Sequence, residues 1–216
     1  MKKAIVLAGS RGIGKGIADS LNQINDLEVI TTSTKILDTS NINQVKQFTK
    51  KEKTTDILVL NTGGPPSQNF LDITKEDCDK YHNQLFYSFF YILQNLKINK
   101  DGYIFLISSF NVKEPNSKLL LSSAYRTAFI SVLKSLSKEF AQNNITTINI
   151  APGPIDTDRL RGLVDDMDKL SKKLPLNRVG NVEEIGTFTK SIIENNIKYL
   201  NGVTINFDGG HSNFIF

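Results

Sequence analysis

The sequence predicts an α/β fold of the Rossmann type: one doubly wound, mostly parallel sheet with helices on both faces. Three observations carry this. Apolar segments alternate with helical ones along nearly all 216 residues. Most of the apolar segments are continuous runs, as expected of strands buried on both faces. The first of them enters a glycine-rich bend that opens an amphipathic helix.

Ala4–Ala8 is the first strand, followed by the bend Gly9-Ser10-Arg11-Gly12-Ile13-Gly14 and a helix over Gly12–Asn25 with Ile13, Ile17 and Leu21 on one face. Glycine lets backbone approach a phosphate closely, and a helix N-terminus offers free N–H groups and a positive dipole end. Glu28–Thr32 is the second strand. The stretch Thr31 to Asp38 leaves no space for a crossover helix, which needs about a dozen residues. A third strand near Ile36-Leu37 is therefore short, irregular or absent, and the sheet is shortened on that side. Further strands fall at Ile57–Asn61, Tyr103–Ser108, Thr146–Ile150 and Val203–Phe207. Helices fall at Asn41–Lys51, Lys75–Leu96, Ser122–Gln142 and Val182–Glu194. No repeat or Pro/Gly/Ser-rich linker interrupts the series, so residues 1–216 read as a single domain.

Composition narrows the class. Hydrophobic content of 39% and charged content of 22% are ordinary for a soluble globular protein. No apolar run approaches the ~18 residues of a membrane span. Met1-Lys2-Lys3 leads straight into the first strand, without room for a signal peptide. The lone Cys78 excludes an internal disulfide and fits a reducing cytoplasm. The net charge of +4 is spread over many segments, unlike the dense basic face of a nucleic-acid binder. His82 and His211 are solitary, so no metal site is expected.

Several segments then fall into register: Asn61-Thr62-Gly63-Gly64 after one strand, Ser108-Ser109 after another, Pro152-Gly153-Pro154-Ile155-Asp156-Thr157 after a third, and Phe207-Asp208-Gly209-Gly210 near the end. Their order and spacing resemble the short-chain dehydrogenase/reductase family over nearly the whole chain. The resemblance implies a nicotinamide dinucleotide held by Gly9, Ser10, Arg11, Gly12, Ile13 and Gly14, with Ala8 where the family has its first glycine. It places Asp38 at the adenine amino group, Asn61 and Gly63 along the cofactor, and Pro152, Gly153, Ile155 and Thr157 at the nicotinamide amide. NAD(H) preference usually needs a carboxylate after the second strand. Here that place carries Thr32 and Ser33, and Arg11 with nearby Lys35 can meet a 2′-phosphate. The expected cofactor is NADP(H).

The chemistry departs from the family. Its Tyr-x-x-x-Lys pair falls on Ser122 and Arg126, counted from the serine place at Ser109. A serine hydroxyl is a far weaker acid than a phenol, and a guanidinium does not reproduce an ammonium. Tyr125, three residues on, reads either as a substitute proton donor or as pocket wall. The family's helix asparagine falls near Leu85, with Asn83 and Gln84 off register. Gly63-Gly64-Pro65-Pro66 and Val112-Lys113-Glu114-Pro115 resemble a divergent branch, labelled 3-oxoacyl-carrier-protein reductase-like, in which arginine also replaces the lysine. Asp158 to Leu174, with Leu160, Leu163, Val164, Met167 and Leu170 at helical spacing, reads as a lid over a small or polar-tailed substrate.

Two functions stay open. One is an NADP(H)-dependent oxidoreductase acting on a carbonyl or alcohol through Ser109, Ser122, Tyr125 and Arg126, with Arg126 also holding the cofactor ribose. The other is a catalytically impaired NADP(H)-binding protein, serving as a sensor or assembly subunit. Either fits a homo-dimer or homo-tetramer, with the Ser122–Gln142 helix and the end Phe214-Ile215-Phe216 as contact surfaces.

Overall fold

Six parallel strands form one sheet in the order β2-β1-β3-β4-β5-β6 in a computed structural model that describes residues 1–215. They are β1 (Lys2–Val6), β2 (Leu27–Thr31), β3 (Thr54–Leu60), β4 (Lys97–Ile107), β5 (Thr146–Pro152) and β6 (Val203–Phe207). The helices are α1 (Gly12–Leu21), α2 (Ile42–Lys51), α3 (Lys75–His82), α4 (Ser88–Asn95), α5 (Leu120–Ala141), α6 (Asp158–Arg161), α7 (Met167–Ser171) and α8 (Val182–Glu194).

The continuous apolar runs divide by parity. Ile5, Leu7, Leu58, Leu60, Ile104 and Leu106 face a core closed by α2, α4 and α5, through side chains such as Val45, Phe89 and Phe129. Ala4, Val6, Val59, Phe105, Ile148 and Ile150 face the other core, closed by Ile17 and Leu21 of α1 and Ile185 and Ile192 of α8. Period-two geometry makes each run serve both sides, which is why apolar residues follow one another without alternation in Ala4–Val6, Ile57–Leu60 and Tyr103–Ile107. Helices α1 and α8 meet backbone to backbone. A Cβ on Gly186 would lie 2.2 Å from the Gly16 carbonyl oxygen, so only glycine permits that approach.

No strand lies between Thr31 and Ile42. Leu37 nevertheless enters the core at 4% exposure while Ile36 stays 64% exposed. The segment thus keeps the packing role of a third strand without its ladder. Asn41 then caps α2, accepting from the Asn43 and Gln44 N–H groups.

Most element boundaries differ from the expected ones by one to three residues, with larger differences where tertiary contacts intervene. Helix α1 ends at Leu21 instead of Asn25, and β4 begins six residues before Tyr103, with a register shift opposite Thr55 and Ile57. The expected helix over Lys75–Leu96 is helical from Lys75 to Asn95, but Asn83–Tyr87 widens into a π-helical turn between α3 and α4. The expected lid is the pair of short helices α6 and α7, with Leu160, Leu163, Val164, Met167 and Leu170 all half-buried. At the C-terminal end Phe214 lies under the Lys113 ammonium and Ile215 is 87% exposed. Phe216 lies outside the described residues. Among the described residues, no helix is long and apolar enough to cross a membrane.

Candidate active site

Strand order reverses between β1 and β3, where the chain leaves β2 on one side and continues on the other. Open parallel sheets bind ligands at such a switch point, outside the carboxyl ends of the strands. The glycine bend leaves β1 there. The Asn61 amide, after β3, donates to the Ala8 carbonyl at 3.4 Å and so spans the reversal.

The bend is held from several sides. Thr32 accepts from the Ala8 N–H at 3.0 Å, and Thr32 is 1% exposed. That burial corrects its expected place among the cofactor contacts: Thr32 shapes the loop from behind. A Cβ on Gly14 would lie 2.2 Å from the Ala8 oxygen and 2.6 Å from the Asn61 amide nitrogen. A Cβ on Gly12 (φ +54°) would meet nothing nearer than Thr157 at 3.5 Å. The loop therefore packs tightly behind Gly14 and stays open in front of Gly12, towards the turn after β5.

Ala8 has φ 47°, a left-handed conformation in the place where the family carries glycine. An L-residue there costs roughly 1–2 kcal/mol. Ala8→Gly should raise stability by about 0.5–1 kcal/mol after the entropy that glycine adds to the unfolded chain. A urea midpoint shifted upward supports this; a lowered midpoint shows that Ala8 is not strained.

The loop has the chemistry of an anion cradle. Arg11 is the N-cap of α1, exposed, and makes no capping hydrogen bond, while the first turn of α1 carries no acidic residue. The helix N-terminus thus keeps its positive end unopposed. Ser10 is exposed and Ile13 half-buried. On the far side, Ser33 is half-buried and its carbonyl accepts from Ile36 and Leu37. Asp38 accepts from the backbone and hydroxyl of Ser40 at 2.9 and 2.8 Å. Thr39 joins Thr62 at 2.8 Å, linking this turn to the end of β3.

Opposite the cradle, β5 delivers Pro152 and Gly153. The Gly153 N–H donates to the Phe207 carbonyl, Ile155 pairs with Gly180, and Thr157 caps α6. These contacts set the turn beside Gly12, and an open cleft of about 310 Å³ continues beyond Pro154 and Ile155 towards Leu176 and Asp208. Ser109, Ser122 and Arg126 do not line that cleft.

Arg126 is the hub of the chemical end. It is 8% exposed. Its Nη1 donates to the Ile107 carbonyl at 2.8 Å, its Nη2 to the Thr62 and Gly63 carbonyls at 3.2 and 3.4 Å, and its Nε to Ser122 Oγ at 3.3 Å. One side chain thereby ties α5 to the carboxyl ends of β3 and β4. Burial, and then the charge of Arg159, lower its pKa to about 10, so it remains a cation at neutral pH. Ser122 is 8% exposed and accepts from this cation, which leaves its own O–H free to donate. Ser109 accepts from the Asn111 N–H at 3.2 Å and likewise keeps its proton.

Tyr125 faces elsewhere. Its hydroxyl donates to the Cys78 carbonyl on α3 at 3.2 Å, and its ring meets His82 edge-on. Burial first, and then Cys78, push its pKa above the ordinary phenol value. This corrects its inclusion in the catalytic set: Tyr125 packs α5 against α3.

Two contributors escaped the sequence reading. Leu85 is core at 1% exposure, and the π-helical turn swings Gln84 inward, where its amide donates to Thr62 Oγ1 at 3.3 Å and the Gly63 carbonyl at 3.1 Å. Single π turns recur at functional sites because they re-aim one residue. Arg159 of α6 reaches the Pro65 carbonyl, binding the expected lid to the turn after β3.

Comparison with known proteins agrees with this geometry. The family described as Enoyl-(Acyl carrier protein) reductase matches residues 36–212. A 3-oxoacyl-[acyl-carrier-protein] reductase of Buchnera aphidicola subsp. Baizongia pistaciae is 30% identical, over 97% of this chain and 96% of that protein. Among solved structures, a short-chain dehydrogenase/reductase of Serratia marcescens superposes with TM-score 0.85 at 22% identity, covering 98% of each chain. A short-chain dehydrogenase of Burkholderia cenocepacia, solved in complex with NADP, gives TM-score 0.85 at 20% identity, covering 97% of each.

Proposed function

This chain belongs to the short-chain dehydrogenase/reductase family of oxidoreductases, and from that premise we propose that it is an NADP(H)-dependent oxidoreductase interconverting a carbonyl and an alcohol. The single observation that carries the proposal is the cradle: an anion-ready helix start, closed behind Gly14 and open before Gly12. Gly9, Ser10, Arg11, Gly12 and Ile13 would hold the dinucleotide phosphates, Ser33 and Asp38 the adenosine end, and Gly63, Pro152, Gly153, Ile155 and Thr157 the nicotinamide end. Bound there, the nicotinamide supplies or accepts hydride.

The protein's own part is electrostatic. Ser122, with Arg126 on its oxygen, donates to the substrate oxygen, and Ser109 donates beside it. The buried charge of Arg126 stabilises the alkoxide that develops, the kind of preorganised field that accounts for much enzymatic rate enhancement. The proton follows from water through Ser122, since the Tyr125 hydroxyl is turned to the Cys78 carbonyl.

Preference for NADP(H) rests on Arg11 and on the absence of a carboxylate at Thr31-Thr32-Ser33-Thr34. The short-chain dehydrogenase of Burkholderia cenocepacia, solved in complex with NADP, is consistent with it. Arg11→Ala should weaken NADPH binding at least about tenfold, the worth of one charge-assisted contact, and leave NADH binding within about threefold. Fluorescence titration reads both. Tighter binding of NADH than NADPH by the parent protein would overturn the assignment.

A second reading, binding without turnover, is favoured by one observation. Three backbone carbonyls already occupy the Arg126 fork, leaving it little capacity for ribose hydroxyls. Saturable NADPH binding with no turnover of any carbonyl would select it. Assembly as a homo-dimer or homo-tetramer belongs to the same proposal, with exposed Ile215 as one contact.

A further inference from the structure

Two guanidinium groups converge on Gly64, in the turn after β3. Measured from the point where a Cβ on Gly64 would sit, Arg159 Nη2 is 3.4 Å away, Ser122 Oγ 3.5 Å and Arg126 Nη2 3.7 Å. The first comes from α6 and the other two from α5. Among the described residues, neither arginine has a carboxylate within 4.0 Å, although Arg161 and Arg178 are both paired, with Asp156 and Glu184.

That arrangement is costly unless something compensates it. A buried cation is normally paired. Arg126 meets only neutral acceptors, backbone carbonyls and the Ser122 oxygen, and the Arg159 charge acts against it. Arg159 is more open to solvent, and the part of it that is desolvated lowers its pKa. Arg159 spends one donor on the Pro65 carbonyl and keeps others for a ligand. Ser122 adds a free O–H at the same place, since its oxygen is the acceptor for Arg126. Two positive charges and a hydroxyl donor thus face one small volume, next to the groups assigned to the reacting oxygen.

We propose that this volume holds the carboxylate of the substrate, with Arg159 as the residue that selects for it, so that the substrate class is a short oxo acid or its hydroxy acid. This rests on the oxidoreductase reading above and deepens it. A planar carboxylate suits a guanidinium fork, which offers parallel N–H donors. The carboxylate lies close to the reacting carbon because Arg159 and Ser122 approach the same point, Arg159 for the carboxylate and the Ser122 O–H for the reacting oxygen. A neutral ketone or ester forgoes the charge-assisted contact to Arg159 and binds less well.

The test uses the full chain loaded with NADP⁺, so that no turnover occurs, and calorimetric titration with acetoacetate or its methyl ester. The acid should bind at least about tenfold more tightly than the ester, the worth of a charge-assisted contact. Arg159→Gln should bring the two ligands within about threefold of each other, and Arg159→Lys should restore part of the difference. Unchanged NADP⁺ affinity and thermal midpoint in both variants establish that the fold is intact. An ester that binds as tightly as the acid, or a preference that survives in Arg159→Gln, overturns the proposal. The parent reading fails separately: acid preference in binding, with no NADPH consumed by acetoacetate or any neutral ketone, leaves the anion site standing and removes the oxidoreductase.

Discussion

Arg126→Met should lower kcat by about 10²–10³-fold and stability by about 2–4 kcal/mol. The stability loss follows from what the guanidinium holds. Its removal takes the guanidinium donor from the Ile107 and Thr62 carbonyls and from Ser122, while the Gly63 carbonyl keeps Gln84, and each buried unsatisfied group costs roughly 1–3 kcal/mol. Removing a buried charge returns part of that, because the cation no longer has to be desolvated. The catalytic loss follows from the same site. Without the cation, Ser122 is no longer polarised, and the developing alkoxide loses its charge partner, worth about 10²–10³ in kcat. Urea unfolding and NADPH oxidation measure the two effects separately. Arg126→Lys retains charge but cannot reach three carbonyls and a hydroxyl at once, so it should be intermediate in both. A methionine variant with the parental urea midpoint would show that these hydrogen bonds do not hold the ends of β3 and β4 to α5.

Gly14→Ala should lower NADPH affinity by at least about 10²-fold while costing about 1–3 kcal/mol of stability, the usual range for overpacking. The added carbon has no place to go. It would overlap the Ala8 carbonyl at 2.2 Å and the Asn61 amide at 2.6 Å. The Asn61 amide can move, but the Ala8 backbone is already fixed by Thr32 from behind. The bend must therefore open at the switch point, pulling Gly12 and the start of α1 out of position. Gly12→Ala makes the contrast, because its Cβ enters open space and only its φ of +54° resists. Fluorescence titration of the two variants checks the difference. Equal NADPH affinities would show that closure behind Gly14 is irrelevant to binding.

The fold was largely legible because its signals are local and repeated. Continuous apolar runs, each feeding two cores, left few alternatives to a parallel sheet. Counting residues between Thr31 and Asp38 was enough to exclude a normal third strand, since chain length alone forbids the crossover helix. Boundaries were less legible. β4 extends back to Lys97 because Lys97 and Ile98 find partners in Thr54 and Thr55 across the sheet, a tertiary fact that the polar stretch Asn99-Lys100-Asp101 conceals.

The site was legible in its inventory and illegible in its directions. Ser109, Ser122 and Arg126 were found by spacing, and the structure does join Ser122 to Arg126. Tyr125 lies one residue from Arg126, yet the turn of the helix sends it to Cys78 on α3. Gln84 was off register for an ideal α-helix, and it reaches Thr62 only because Asn83–Tyr87 is wound more widely. Arg159 lies in the stretch read as a lid, where only the apolar residues stood out. Its aim at Pro65 depends on how α6 is set by the Thr157 cap and the Ile155–Gly180 bridge, and no sequence pattern states that.

Hydride transfer itself tests the central claim most directly. NADPH carrying deuterium at the transferable C4 position, incubated with the protein and a panel of oxo acids, should yield a hydroxy acid with one deuterium on the carbinol carbon by mass spectrometry. Saturable NADPH binding with no deuterium in any product would contradict the account and leave a dinucleotide-binding protein in its place.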